Sequence, residues 1–134
     1  MKKRIALVLS FVFVFVLAGC STVATKKGLP LNDGKVEKIS VKSLPEGYDY
    51  TFSGQDAQAI INYLSELNLI ADFSENPDEY VGGAWIISIE YEGGETVIVC
   101  HSANKFIKTV NGPWYKMTYE EASHFDVLLN ELND

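Results

Sequence analysis

A chain of 134 residues with 18 acidic side chains against 11 basic ones has a net charge of −7 and room for one domain. An acidic balance of this kind repels polyanions, and nucleic-acid binding is driven by Lys and Arg meeting phosphates, so a nucleic-acid partner is excluded. The chain has only two cysteines, Cys20 and Cys100, which leaves no room for a disulfide framework.

Met1-Lys2-Lys3-Arg4 is a short basic head, and an apolar run from Ile5 to Gly19 follows, broken only by Ser10. The run is shorter than the ~20 residues a spanning helix needs, and it has the parts of a secretory signal peptide. Its end, Leu17-Ala18-Gly19-Cys20, resembles the lipobox of bacterial prolipoproteins. The resemblance implies cleavage before Cys20, a diacylglyceryl group on its thiol, a fatty acid on the new amine, and attachment to the outer face of a membrane. It covers residues 1–20 alone. Two or more acyl chains make such anchoring stable, at ~0.8 kcal/mol per buried CH₂. Loss of residues 1–19 removes three basic residues and leaves 8 against 18, a net charge of −10. Residues 20–35, rich in breakers, are expected to form a flexible tether to a single domain over 36–134.

Within that domain, Val36–Leu44 and Tyr48–Phe52 are expected as strands joined by the Pro45-Glu46-Gly47 turn. Ser53 with Asp56 signals a helix start, and Ala57, Ile60, Ile61, Leu64 and Leu67 recur at helical spacing to about Leu69. An acidic loop runs from Asp72 to Gly83. Glu92-Gly93-Gly94-Glu95 marks a hairpin, and a two-residue turn would set Tyr91 opposite Thr96, Ile89 opposite Ile98 and Ile87 opposite Cys100. Asn111-Gly112 marks a second hairpin, and Thr118 with Glu121 forms a capping box for a closing helix. The expectation is α+β, with an antiparallel sheet of about five to six strands and two helices in the order β-β-α-β-β-β-β-α.

That register makes Trp85, Ile87, Ile89, Tyr91, Ile98 and Cys100 the core face, with Cys100 buried and inert. The opposite face then holds Ile86, Ser88, Glu90, Val97, Val99 and His101. Such a face is either covered by a second core layer or used for a partner, and Ile86, Val97, Val99, His101 and Trp114 are the candidate binding residues. No catalytic set emerges: Cys100 and His101 diverge on one strand, and Glu90, Glu92 and Glu95 crowd a solvated turn. No metal or cofactor is expected. His101 and His124 stand alone, and the Asp72-Ser74-Asn76-Asp78 alternation has Pro77 and Gly83 where a calcium loop needs Gly and Glu. The expected function is a membrane-tethered, non-catalytic binding or accessory module with a protein or peptide partner at the envelope. The alternative is a small envelope enzyme, or an inhibitor or immunity-type protein.

Overall fold

A computed structural model describes residues 25–133 apart from residue 81. The expected signal peptide and the lipidation site Cys20 lie outside the described residues. The domain is α+β and antiparallel throughout, with eight strands rather than five or six. In chain order they are β1 (Thr25–Lys27), β2 (Val36–Leu44), β3 (Asp49–Phe52), α1 (Gly54–Glu66), β4 (Asn68–Ile70), β5 (Ala84–Tyr91), β6 (Thr96–Ser102), β7 (Phe106–Thr109), β8 (Tyr115–Lys116) and α2 (Tyr119–Leu132). Across the sheet the order is β1-β4-β8-β7-β6-β5-β2-β3.

The two extra strands have one cause. The helix that was expected to reach Leu69 stops at Glu66, and Asn68–Ile70 continues as β4. Leu67 and Leu69 are both buried, an alternation that suits a strand as well as it extends the helical pattern. β4 needs partners, and one comes from the segment read as a tether: Thr25 pairs with Ile70, Lys26 with Leu69 and Lys27 with Asn68. Just beyond β1, Gly28 N–H donates to the Leu67 carbonyl at 2.7 Å and Leu29 N–H to the Leu64 carbonyl at 3.2 Å. Those carbonyls belong to the end of α1, where helical partners run out. Gly28 has φ of +75°, and a Cβ there would stand 2.4 Å from the Ser65 carbonyl oxygen, so only glycine lets the chain lie this close.

Both helices cover the same face of the sheet. Ala57, Ile60 and Leu64 from α1, and Ala122, Phe125 and Leu129 from α2, close over Ile39, Val41, Ile87, Ile89, Val99 and Ile107. Ser53 occupies the N-cap of α1 but its hydroxyl makes no capping bond. The expected cap of α2 forms in its Thr118 half, with Glu121 N–H donating to Thr118 Oγ1 at 3.2 Å, while Glu121 Oε1 accepts from the Thr118 hydroxyl at 3.1 Å rather than from the Thr118 backbone N–H.

The central hairpin departs from the expected register by one residue. Ile89 faces Val97, Ile87 faces Val99 and Trp85 faces His101. The cause is the turn: Tyr91 N–H donates to the Glu95 carbonyl and Gly94 N–H to the Tyr91 carbonyl, both at 2.9 Å, around a three-residue loop. Only Gly94 has positive φ, at +94°, which is the arrangement of a type I turn closed by a left-handed residue. One added loop residue exchanges the faces of β6. Val97, Val99 and His101 therefore join the helix-covered face, while Ile98 and Cys100 turn to the other side with Ile86.

Candidate functional site

The face away from the helices is built from alternate residues of four central strands. One row across it reads Lys42, Ile86, Cys100, Lys108, and the next reads Ser40, Ser88, Ile98. Ile86, Ser88 and Cys100 are half-buried, as mid-sheet side chains are when only their neighbours shield them, and Ile98 is 38% exposed. Lys38, Lys42, Lys108 and Lys116 all project from this side.

One end of the face is covered. Phe106, on the same side as Cys100 and Lys108, is fully buried beneath Phe73, Tyr80 and Trp114, with ring centroids 5.5, 5.1 and 6.3 Å away. The acidic loop is thus a strap laid over the sheet. Glu75 fastens it, with Oε1 2.9 Å from Lys116 Nζ and Oε2 3.3 Å from Lys105 Nζ. The Lys116 ammonium, joined by Lys105, holds the Glu75 carboxyl below the usual carboxylate range. Lys105 Nζ also donates to the Tyr80 hydroxyl at 3.2 Å, and Lys108 Nζ lies 4.8 Å from the centre of the Trp114 ring. The strap ends where the exposed rows begin, so Trp114 and Lys108 border the open area.

Charge is divided between the two layers. The helices carry Asp56, Glu66, Glu120, Glu121, Asp126 and Glu131 and no lysine or arginine. The eight lysines among the described residues all lie in strands or loops. The open sheet side carries lysines and carboxylates together: Lys38 pairs with Glu90 at 3.5 Å, Lys116 with Glu75 at 2.9 Å, and Asp49 lies opposite Lys42.

A second concavity, of ≈ 500 Å³, runs between the helices and is lined by Asn62, Tyr63, Glu66, Glu120, Glu121 and His124 among others. Behind Tyr63 lies His101, which is 1% exposed and stacks on Phe125 with centroids 5.2 Å apart. Tyr63 O–H donates to the Glu121 carbonyl at 2.8 Å, so its oxygen accepts from His101 Nε2–H at 3.1 Å. His101 Nδ1 then bears no proton and has no partner among the described residues. Burial drives this imidazole down to about 4 and raises the Tyr63 phenol above its ordinary value. The Glu121 carboxylate is committed to the backbone N–H of Asn68 at 2.9 Å and to the Thr118 hydroxyl. These groups spend their hydrogen bonds on tying α1, β6 and α2 together.

Of the five binding residues expected from sequence, Ile86 and Trp114 lie on the open side. Val97 is half-buried against the core, and Val99 and His101 are in it, at 0% and 1% exposure. The one-residue register change explains all three. It also moves Cys100 out of the core, to a half-buried place on the open face. Ile98, an exposed apolar side chain of that face, was hidden from the sequence reading by the same slip. The longer hairpin loop was the available signal, because Glu-Gly-Gly-Glu suits either turn. Among the described residues, no group of three His, Cys, Asp or Glu side chains is placed to hold a metal, and Glu75 of the acidic loop is paired with two lysines. No described helix is long and apolar enough to cross a membrane. Comparison with protein-family models, with curated proteins and with solved structures finds no match to this chain.

Proposed function

We propose that this chain is a lipid-anchored extracytoplasmic binding module, tethered through Cys20, whose partner docks on the open sheet face around Ile86, Ile98 and Cys100. The anchor rests on the Leu17–Cys20 resemblance behind a basic head and an apolar run. The docking surface rests on one observation above all: a two-helix α+β domain leaves half-exposed isoleucines in the middle of an uncovered sheet face, with lysines around them. Apolar side chains gathered on a surface and rimmed by polar ones mark interaction sites more often than single exposed residues do. The chemistry fits a protein or peptide that offers an apolar patch flanked by carboxylates, because Lys42 and Lys108, which make no ion pair among the described residues, would pair with them and the acidic helix layer would repel them.

The anchor is tested by fatty-acid labelling in cells, which wild type should take up and Cys20→Ser should not. Docking is tested with a photo-crosslinking side chain placed at Ile98 or, as a control, at Glu131 on α2. The expected product forms from position 98 only, and disappears when Lys42 and Lys108 are both changed to Glu. Equal capture from both positions, or capture indifferent to those two lysines, would overturn the proposal.

A further inference from the structure

We infer that the β1–β4 edge is the side of the domain that meets the membrane, and that Lys26 and Lys27 contact anionic lipid headgroups there. The inference deepens the lipid-anchored reading and rests on it. β1 is hydrogen-bonded to β4, Gly28 and Leu29 donate to the end of α1, and Leu29 is buried. The chain is therefore bound to the domain from Thr25 onward, and only residues 21–24 separate it from Cys20.

Five Cα steps of at most ~3.6 Å each put Thr25 within ~18 Å of the lipidated cysteine. Eight strands spaced ~4.8 Å apart place the far edge, β3, roughly 34 Å from β1. The edge that holds β1 is thus kept near the headgroups, while the rest of the domain has freedom to tilt.

Charge decides the tilt. Residues 21–32 contain Lys26 and Lys27 and no acidic residue. Both lysines are exposed, on opposite faces of the edge strand: Lys26 shares a side with Leu69 and reaches the Tyr115 ring 5.6 Å away, and Lys27 shares a side with Asn68. Three of the six helix carboxylates, Glu66, Glu120 and Glu121, stand toward the β4 end on the helix side, so repulsion by an anionic leaflet turns the helix layer away and leaves the strand edge with Lys26 and Lys27 to meet the headgroups; Asp33, Glu92 and Glu95 at the hairpin end are repelled likewise. Attraction acts within about a Debye length, ~8–10 Å, and the short linker holds these two lysines inside it. An edge-on stance also leaves the open sheet face free to the side for a partner.

The test uses the full lipidated protein with Cys100→Ala, reconstituted in vesicles and labelled with a fluorophore at Asn68→Cys on β4 or at Thr51→Cys on β3. Quenching is read from nitroxide-headgroup lipid, in phosphatidylcholine with and without phosphatidylglycerol. The Asn68 label should be quenched more than the Thr51 label, and the preference should grow with phosphatidylglycerol and shrink in high salt. Changing Lys26 and Lys27 to Glu should reduce it by about five-fold or more for each lysine, and a long Gly/Ser insertion before Thr25 should abolish it. Equal quenching at the two sites, stronger quenching at Thr51, or indifference to the charge reversal overturns the inference. A protein that carries no lipid and fails to float with neutral vesicles overturns the anchored reading instead.

Discussion

The two faces of this sheet are made from the same strands and are put to different uses. On the helix side, β5 and β6 present Trp85, Ile87, Ile89, Val97, Val99 and His101, which meet two amphipathic helices; Ile87, Ile89, Val99 and His101 lose nearly all contact with water, and Trp85 and Val97 are half-buried. On the other side the same strands present Ile86, Ser88, Ile98 and Cys100, and among the described residues the only cover is a strap that stops over Phe106. Composition does not separate them, since both carry β-branched apolar residues. The comparison shows that what a strand residue does here depends on which side the turn assigns it to, and neighbours such as Val99 and Ile98 have opposite fates.

The comparison would break most visibly on Asp substitutions at those neighbours. Val99→Asp buries an unpaired carboxylate and should cost on the order of several kcal/mol, enough to unfold a domain of this size. Ile98→Asp should cost about 1 kcal/mol or less, because the new charge stays in water. Chemical denaturation of both variants decides the matter, and equal losses would contradict the register.

A smaller effect sharpens the helix side. His101 is buried neutral, with a folded-state value of about 4 against the ordinary 6.5. The unfolded chain therefore takes up the proton first. Stability is complete above pH 6.5 and falls as pH drops toward 4, by about 1.4 kcal/mol per unit and about 3 kcal/mol in all. His101→Phe, which keeps a ring against Phe125, should flatten urea midpoints measured between pH 6.5 and 5, above most carboxylate titration. A wild-type profile already flat over that range would mean the imidazole reaches solvent.

The smallest effect belongs to the open side. Cys100 should react with a thiol reagent such as DTNB in the folded protein, and Cys100→Ser should leave the melting temperature nearly unchanged. A thiol that labels only after denaturation would return Cys100 to the core.

Most of the architecture is legible in the residues. Helical spacing from Ala57 to Leu64, the Thr118–Glu121 box and the Gly-rich hairpin each announce their element, and each forms. What escapes is decided by the loop and by distant partners. Glu92–Glu95 accommodates a turn of either length, and the choice rests on which face of β6 the helices can cover. β1 and β4 are three residues each and carry no pattern of their own, so neither is a strand except in the presence of the other. The Phe106 cluster is invisible for the same reason: Phe73 and Tyr80 sit in a loop whose acidity suggests solvent, and only the fold brings them over β7. The candidate surface was therefore half legible, with Ile86 and Trp114 placed on it and Ile98 and Cys100 hidden by one residue of turn.

The pairing of β1 has a consequence for the order in which the molecule is completed. Synthesis delivers Thr25–Lys27 first, but its partner Asn68–Ile70 comes only after α1, and β4 in turn awaits Lys116 for its other neighbour. Contacts that close such long loops come late in folding. Of the described strands, the earliest to leave the ribosome is thus among the last to be locked in place. Under the lipid-anchored reading, β1, which begins five residues after Cys20, is still unpaired when the enzymes that acylate and cut at that cysteine need room to reach it.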